Sequence, residues 1–256
     1  MYPELLRIGR LAIYSYGFML GMSLLSAVWL SYRQAPREGV DPQITLDFSL
    51  AIVVAGVVGS RLVFVLLNWE YYASNPVSIL GIGEGGLAGL SIHGGLLGGI
   101  IAGWFMCARH GLRFPVMADL YARPLAMGHT LGRIGCVLRG CCFGELTGGG
   151  WGVRTVYAWG LRHPSQLYES GLALLLFVGL TWYMKRPRAA GQLFLLYAGG
   201  YAVARFLADL YRESDLVTGS LNLAQLVSLG VLCIVVPLWF RLGAGSRAGA
   251  SRGPRT

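Results

Sequence analysis

The amino-acid sequence predicts an all-α membrane protein of about seven transmembrane helices, with the N-terminus outside and the C-terminus in the cytoplasm. Three observations carry that expectation. Of the 256 residues, 55% are hydrophobic and only 13% charged, against about a quarter charged in soluble domains, which leaves too little charge to cover a water-facing surface. The apolar residues come in runs close to the roughly 20 residues that about 30 Å of hydrocarbon requires. Arginine and lysine recur in alternate loops between those runs, as cytoplasmic loops do under the positive-inside rule.

Each run has its own signals. The first, residues 14–30, is too long for the apolar stretch of a cleavable signal, and no small-residue cleavage site closes it. It is expected to remain as a span, with Arg33 and Arg37 following on the inner side. The second, 48–69, is interrupted by Arg61, and the loop at 70–90 has no lysine or arginine. The third, 92–108, is glycine-rich and is followed by Arg109 and Arg113. The fourth, 114–138, is the most polar and carries Asp119, Arg123 and Arg133. The fifth covers 167–184, with Lys185, Arg186 and Arg188 after it. The sixth covers 192–211 and the seventh 223–240. Residues 1–243 therefore read as a single polytopic membrane domain, and the Gly/Ala/Ser/Arg-rich 244–256 as a disordered cytoplasmic tail. The net charge of +9 is split among short loops. It serves orientation and attraction to anionic lipid head groups, and nucleic acid is excluded as a partner.

One segment breaks the charge alternation. Arg139, Arg154 and Arg162 lie between the fourth and fifth runs, on the outer side, which points to a task other than topology. Ionisable groups at membrane depth are costly and are functional hypotheses by default. In the sixth run Tyr197, Tyr201, Arg205 and Asp209 recur every four residues, on one helix face, with Arg205 and Asp209 spaced for an ion pair. His93 opens the third run beside Gly94 and Gly95, and imidazole is the side chain suited to proton exchange near neutral pH. Residues 132–144 hold Arg133, Arg139 and three cysteines among glycines and end on Gly144. Glycines allow a backbone close to a ligand, and guanidinium groups match phosphate oxygens with paired donors. His163, Gln166 and Glu169 lie around the start of the fifth helix, which Pro164 suits. Gly17 with Gly21, and Gly95 with Gly99 and Gly103, are spaced for close helix approach. The spacing of Cys136, Cys141 and Cys142 matches no standard zinc pattern. Adjacent cysteines make a poor disulfide pair, while Cys136 is left open to pair with either.

These pieces in this order resemble the prolipoprotein diacylglyceryl transferase family. The resemblance runs through Tyr16-Gly17, Gly59-Ser60-Arg61, Ser91-Ile92-His93-Gly94-Gly95, Gly132-Arg133-Ile134-Gly135 with its glycine-rich continuation, residues 163–169 and residues 201–205. It implies transfer of the diacylglyceryl group of phosphatidylglycerol to the lipobox cysteine thiol in the signal peptide of a preprolipoprotein. The products would be a thioether and glycerol 1-phosphate, made at the bacterial cytoplasmic (inner) membrane with no metal or soluble cofactor. His93, Arg133, Tyr201 and Arg205 are the expected catalytic residues. Tyr16, Arg61, Gly94, Gly95, Arg139, Gly144, Arg154, His163, Gln166 and Glu169 are expected to bind substrate. Cys136 and Cys141 stand where the best-known form of the family has asparagine and glutamate. That cysteine-bearing version resembles another branch.

Two readings from other classes compete. A lipid or solute transporter would also carry polar groups at membrane depth, but the paired repeats with broken helices of such proteins are missing here. A membrane thiol or metal-binding protein would use Cys136, Cys141 and Cys142, which in the transferase reading are bystanders.

Overall fold

The computed structural model describes residues 2–8, 11–80, 89–155, 157–213, 216–218 and 221–250. The chain runs through a hairpin of β1 (Glu4–Ile8) and β2 (Leu11–Tyr14), then α1 (Ser15–Gln34), α2 (Pro42–Leu67), the short α3 (Trp69–Ser74), α4 (Ile92–His110) and α5 (Phe114–Arg139). A small sheet of β3 (Val153–Arg154) and β4 (Leu161–Arg162) precedes α6 (Ser165–Tyr183) and α7 (Gln192–Asp209). A third pair, β5 (Leu216–Thr218) and β6 (Leu221–Asn222), leads into α8 (Leu223–Ala250). The fold is mostly helical, and each of the seven apolar runs has its long helix. Two of these, α2 and the Leu223–Gly243 part of α8, are long and apolar enough to cross a membrane. The three two-stranded antiparallel sheets were not expected; strands of two to five residues are too short to leave a periodic signal. The expected tail begins inside α8, and residues 251–256 lie outside the described residues.

The helices group into two compact units, one of residues Tyr32–Met117 and one of Met1–Ser31 with Ala118–Thr256. In the first, α2 starts on Asp41, whose Oδ1 accepts from Gln43 N at 2.8 Å, with Pro42 in the first turn. This is the favoured helix start, an anionic cap followed by a residue with no N–H to satisfy. α2 and α4 then meet backbone to backbone. A Cβ at Gly94 would strike Gly59 O, one at Gly59 would strike Gly94 O, and one at Gly98 would strike Ala55 O. Gly103 continues the contact onto the Phe48 ring. Gly17 and Gly21 face open space among the described residues, so that pair is not the packing face its spacing announced.

In the second unit, α5 lies between α1 and α6. Ser23 Oγ donates to Gly128 O at 3.2 Å, and Ser170 Oγ to Thr130 O at 3.0 Å. Ala122, Ala126, Leu180, Leu193 and Tyr197 form the buried core between α5, α6 and α7. Asp119 of α5 caps the start of α7, accepting from Gly191 N at 2.9 Å and Phe194 N at 2.8 Å. A carboxylate there satisfies free N–H groups and complements the helix dipole. The end of α5, the start of α6, the end of α7 and the start of α1 converge at one end of this unit.

Candidate active site

Glu169, only 3% exposed in the second turn of α6, is the centre of that end. Its Oε1 lies 2.8 Å from Arg133 Nη2 and accepts from Tyr201 OH at 3.2 Å. Its Oε2 accepts from Arg205 Nη1 at 3.0 Å. Arg205 reaches onward with Nη2, 3.1 Å from Asp209 Oδ1 in the expected one-turn ion pair. Arg212 Nη1 stands 3.8 Å from the same oxygen. Arg133 and Arg205 thus share Glu169, and Arg205 and Arg212 both approach Asp209, so the guanidinium groups are held in place by buried carboxylates.

His129 completes the arrangement and was missed in the sequence. One turn before Arg133 on α5, its ring stacks on Tyr201 with centroids 4.1 Å apart and planes 9° from parallel. Its Nδ1 shares a hydrogen bond with Tyr197 OH at 3.1 Å. The imidazole therefore fixes the Tyr201 ring so that its hydroxyl meets Glu169. A sequence signal existed: His129, Arg133 and Cys136 are spaced i, i+4, i+7 on one face of α5.

The loop after α5 is tied to this cluster. Gln166 Nε2 donates to Cys141 O, and Ser165 Oγ to Cys142 O at 3.0 Å. Gly144 sits where three segments cross: its N donates to His163 O at 2.8 Å, and a Cβ would strike Tyr211 O. His163 Nδ1 shares a hydrogen bond with Tyr168 OH at 3.1 Å, and its ring lies against Tyr211. Gln166, Gly144 and His163, expected on the substrate, thus hold the loop. Tyr16 of α1 packs against Gly135, and the exposed Arg139 guanidinium sits 5.8 Å from the centre of its ring. Arg154 is exposed on β3. All five cysteines are free thiols. Hydrogen bonding from Cys136, with Arg212 and Arg133 nearby, pulls the Cys142 thiol in the loop below its ordinary range.

His93, Gly94, Gly95 and Arg61 belong to the other unit. His93 is exposed in the first turn of α4. The space beside Gly94 is filled by the α2 backbone, and Gly95 faces Ser60 Oγ. Arg61 is one of the residues expected to bind substrate. It donates to three carbonyls, Ile79 O at 2.8 Å, Ser78 O at 2.5 Å and Gly89 O at 3.1 Å, with the Tyr72 ring 5.2 Å away. Its partners lie 17 to 28 residues on, two of them in a short 3-10 helix (Pro76–Leu80), a pairing no periodicity reveals. Arg61→Ala is expected to lower unfolding stability in detergent by at least about 1.5–3 kcal/mol, the worth of a single hydrogen bond to a charged donor; thermal unfolding measures it.

Residues 3–241 match the family model of prolipoprotein diacylglyceryl transferase. Among the similar curated proteins, the phosphatidylglycerol–prolipoprotein diacylglyceryl transferase of Gloeobacter violaceus is 35% identical, covering 93% of this chain and 92% of its own. The protein of the same name from Geobacter sulfurreducens is 37% identical, over 88% and 89%. That from Bacillus cereus (strain ATCC 14579) is 33% identical, over 90% and 88%.

Proposed function

The chain belongs to the prolipoprotein diacylglyceryl transferase family, and we propose that it moves the diacylglyceryl group of phosphatidylglycerol onto the lipobox cysteine of preprolipoproteins. The observation that carries this reading to particular residues is the pair of guanidinium groups, Arg133 and Arg205, held side by side on the buried Glu169. A phosphodiester brings one negative charge and several acceptor oxygens, the complement of forked guanidinium donors held in place.

The substrate thiolate attacks the glyceryl CH2 carbon, a C–S bond forms, and the C–O bond to phosphate breaks. Glycerol 1-phosphate leaves with the electron pair and gains a second negative charge. Arg133 and Arg205, pinned by Glu169, meet that charge with donors oriented before the reaction, so stabilisation grows toward the transition state. Tyr201 OH, oriented by His129, is the neutral donor beside them. The thiol must lose its proton first, because the thiolate is the nucleophile. We assign that proton to His93, on its exposed imidazole and the range of that group. Tyr16 and Arg139 extend the donor set along the loop.

The seven long helices span the bacterial cytoplasmic membrane in this proposal, N-terminus outside and C-terminus inside. The convergent end then faces the outer leaflet, where a lipobox emerges after export. The experiment is direct. Purified protein in detergent receives phosphatidylglycerol and a lipobox peptide with one cysteine, and mass spectrometry looks for a diacylglyceryl adduct. The adduct should form, and should vanish with phosphatidylethanolamine or in His93→Gln. A folded sample that forms none, where a known transferase does, overturns the proposal.

A further inference from the structure

The thiols of Cys136, Cys141 and Cys142 play no part in that chemistry, yet their Sγ atoms all lie within 4.8 Å of one another. Two turns of backbone make this triangle out of residues that are not neighbours on a helix face. Gly140, with φ 84°, ends α5 left-handed, and Gly140 N and Cys141 N both return to Cys136 O, at 2.9 and 3.2 Å. Cys142 then takes φ 60°, the one non-glycine residue with positive φ among the described residues. That conformation costs roughly 1–2 kcal/mol for a residue with a Cβ, and a strained residue of this kind is an observation from which function is argued. Ser165 and Gln166 clamp the carbonyls of Cys142 and Cys141, so the triangle exists before any ligand arrives.

We propose that Cys136, Cys141 and Cys142 bind a single thiophilic cation, Zn2+ or Cu+, through their three sulfurs. Metal–sulfur bonds of about 2.3 Å in a tetrahedral centre space the sulfurs about 3.8 Å apart, so the side chains close by about 1 Å at most. Thiolate is the donor these cations select, and oxygen-seeking cations are excluded. Binding holds all three sulfurs as thiolates, any remaining thiol protons going to solvent, which leaves −1 around a divalent ion or −2 around a monovalent one. Arg133 and Arg212 lie within electrostatic reach of Cys142, and Arg139 of Cys141. These guanidinium groups cannot ligate a cation, and they compensate that negative charge. Three protein ligands leave the fourth position of a tetrahedral ion open. The spacing C-x4-C-C matches no zinc pattern because the left-handed turn at Cys142, and no helical repeat, brings the third sulfur back.

The test uses the full chain in detergent, reduced and metal-free, with Cd2+ as probe. Sulfur-to-cadmium charge-transfer absorption should saturate at one Cd2+ per chain and be reversed by Zn2+. The band should be lost in Cys136→Ser and Cys142→Ser and kept in Cys107→Ser and Cys233→Ser, which lie outside the triangle. In the unaltered protein, Cd2+ should shield three thiols from maleimide, a measurement that needs no variant. None of these readouts depends on transferase activity. The proposal is overturned by a reduced protein with no saturable band, by a band that survives both triangle substitutions, or by maleimide labelling that Cd2+ does not change.

Discussion

Glu169→Ala is expected to lower the unfolding stability by about 3–5 kcal/mol and to remove transfer altogether. Glu169 is nearly fully buried and is shared by Arg133, Arg205 and Tyr201. Deleting it leaves two guanidinium groups that no longer share a counter-charge, and they turn apart by repulsion. The loss is therefore the penalty of uncompensated buried cations, which exceeds the net worth of the intact pairs. Glu169→Gln keeps the shape and one acceptor oxygen but not the charge, so its stability should fall between the two. Thermal unfolding alongside the adduct assay reads both effects. An alanine variant as stable as the parent protein would show that Arg133 and Arg205 are held by something else.

Arg133→Ala should separate the two effects that Glu169→Ala combines. Glu169 keeps Arg205 Nη1 at 3.0 Å and Tyr201 OH at 3.2 Å, so the unit stays paired and folded. Transfer should nevertheless fall on the order of 100- to 1,000-fold, the usual consequence of losing one preorganised donor to a developing anion. Arg133→Lys restores the charge without the fork and should recover only part of the rate. Normal transfer by a folded Arg133→Ala protein would sink the assignment of the phosphate to this arginine.

Local patterns in the sequence were read correctly where the contact is itself local. The four-residue spacing of Tyr197, Tyr201, Arg205 and Asp209 announced one face of α7, and the Arg205–Asp209 pair is there at 3.1 Å. The seven apolar runs announced the seven long helices. Contacts that join distant segments left weaker traces. Glu169 was flagged among residues at a helix start, but its two arginines each lie 36 residues away, one on either side. Arg61 is a charge in an apolar run with no partner in view, and its carbonyl partners come from a later segment of the chain. His129 lies in the most polar run, where hydrophobic periodicity is faintest. The three sulfurs converge through backbone dihedrals, which side-chain spacing does not encode.

The glycine seam between α2 and α4 has a consequence for how that helix pair can move. Sliding α4 by one turn in one direction would put Ala102 where Gly98 now meets Ala55 O, and its methyl group has no room there. One turn the other way would bring up Leu90, which lies before the helix begins. The supply of bare backbone is just long enough for one alignment and runs out on either side. Shear along this seam is closed off, as it would not be between helices that interlock through pliable side chains. Any displacement of His93 must therefore carry α2 and Arg61 with it, as a single stiff lever.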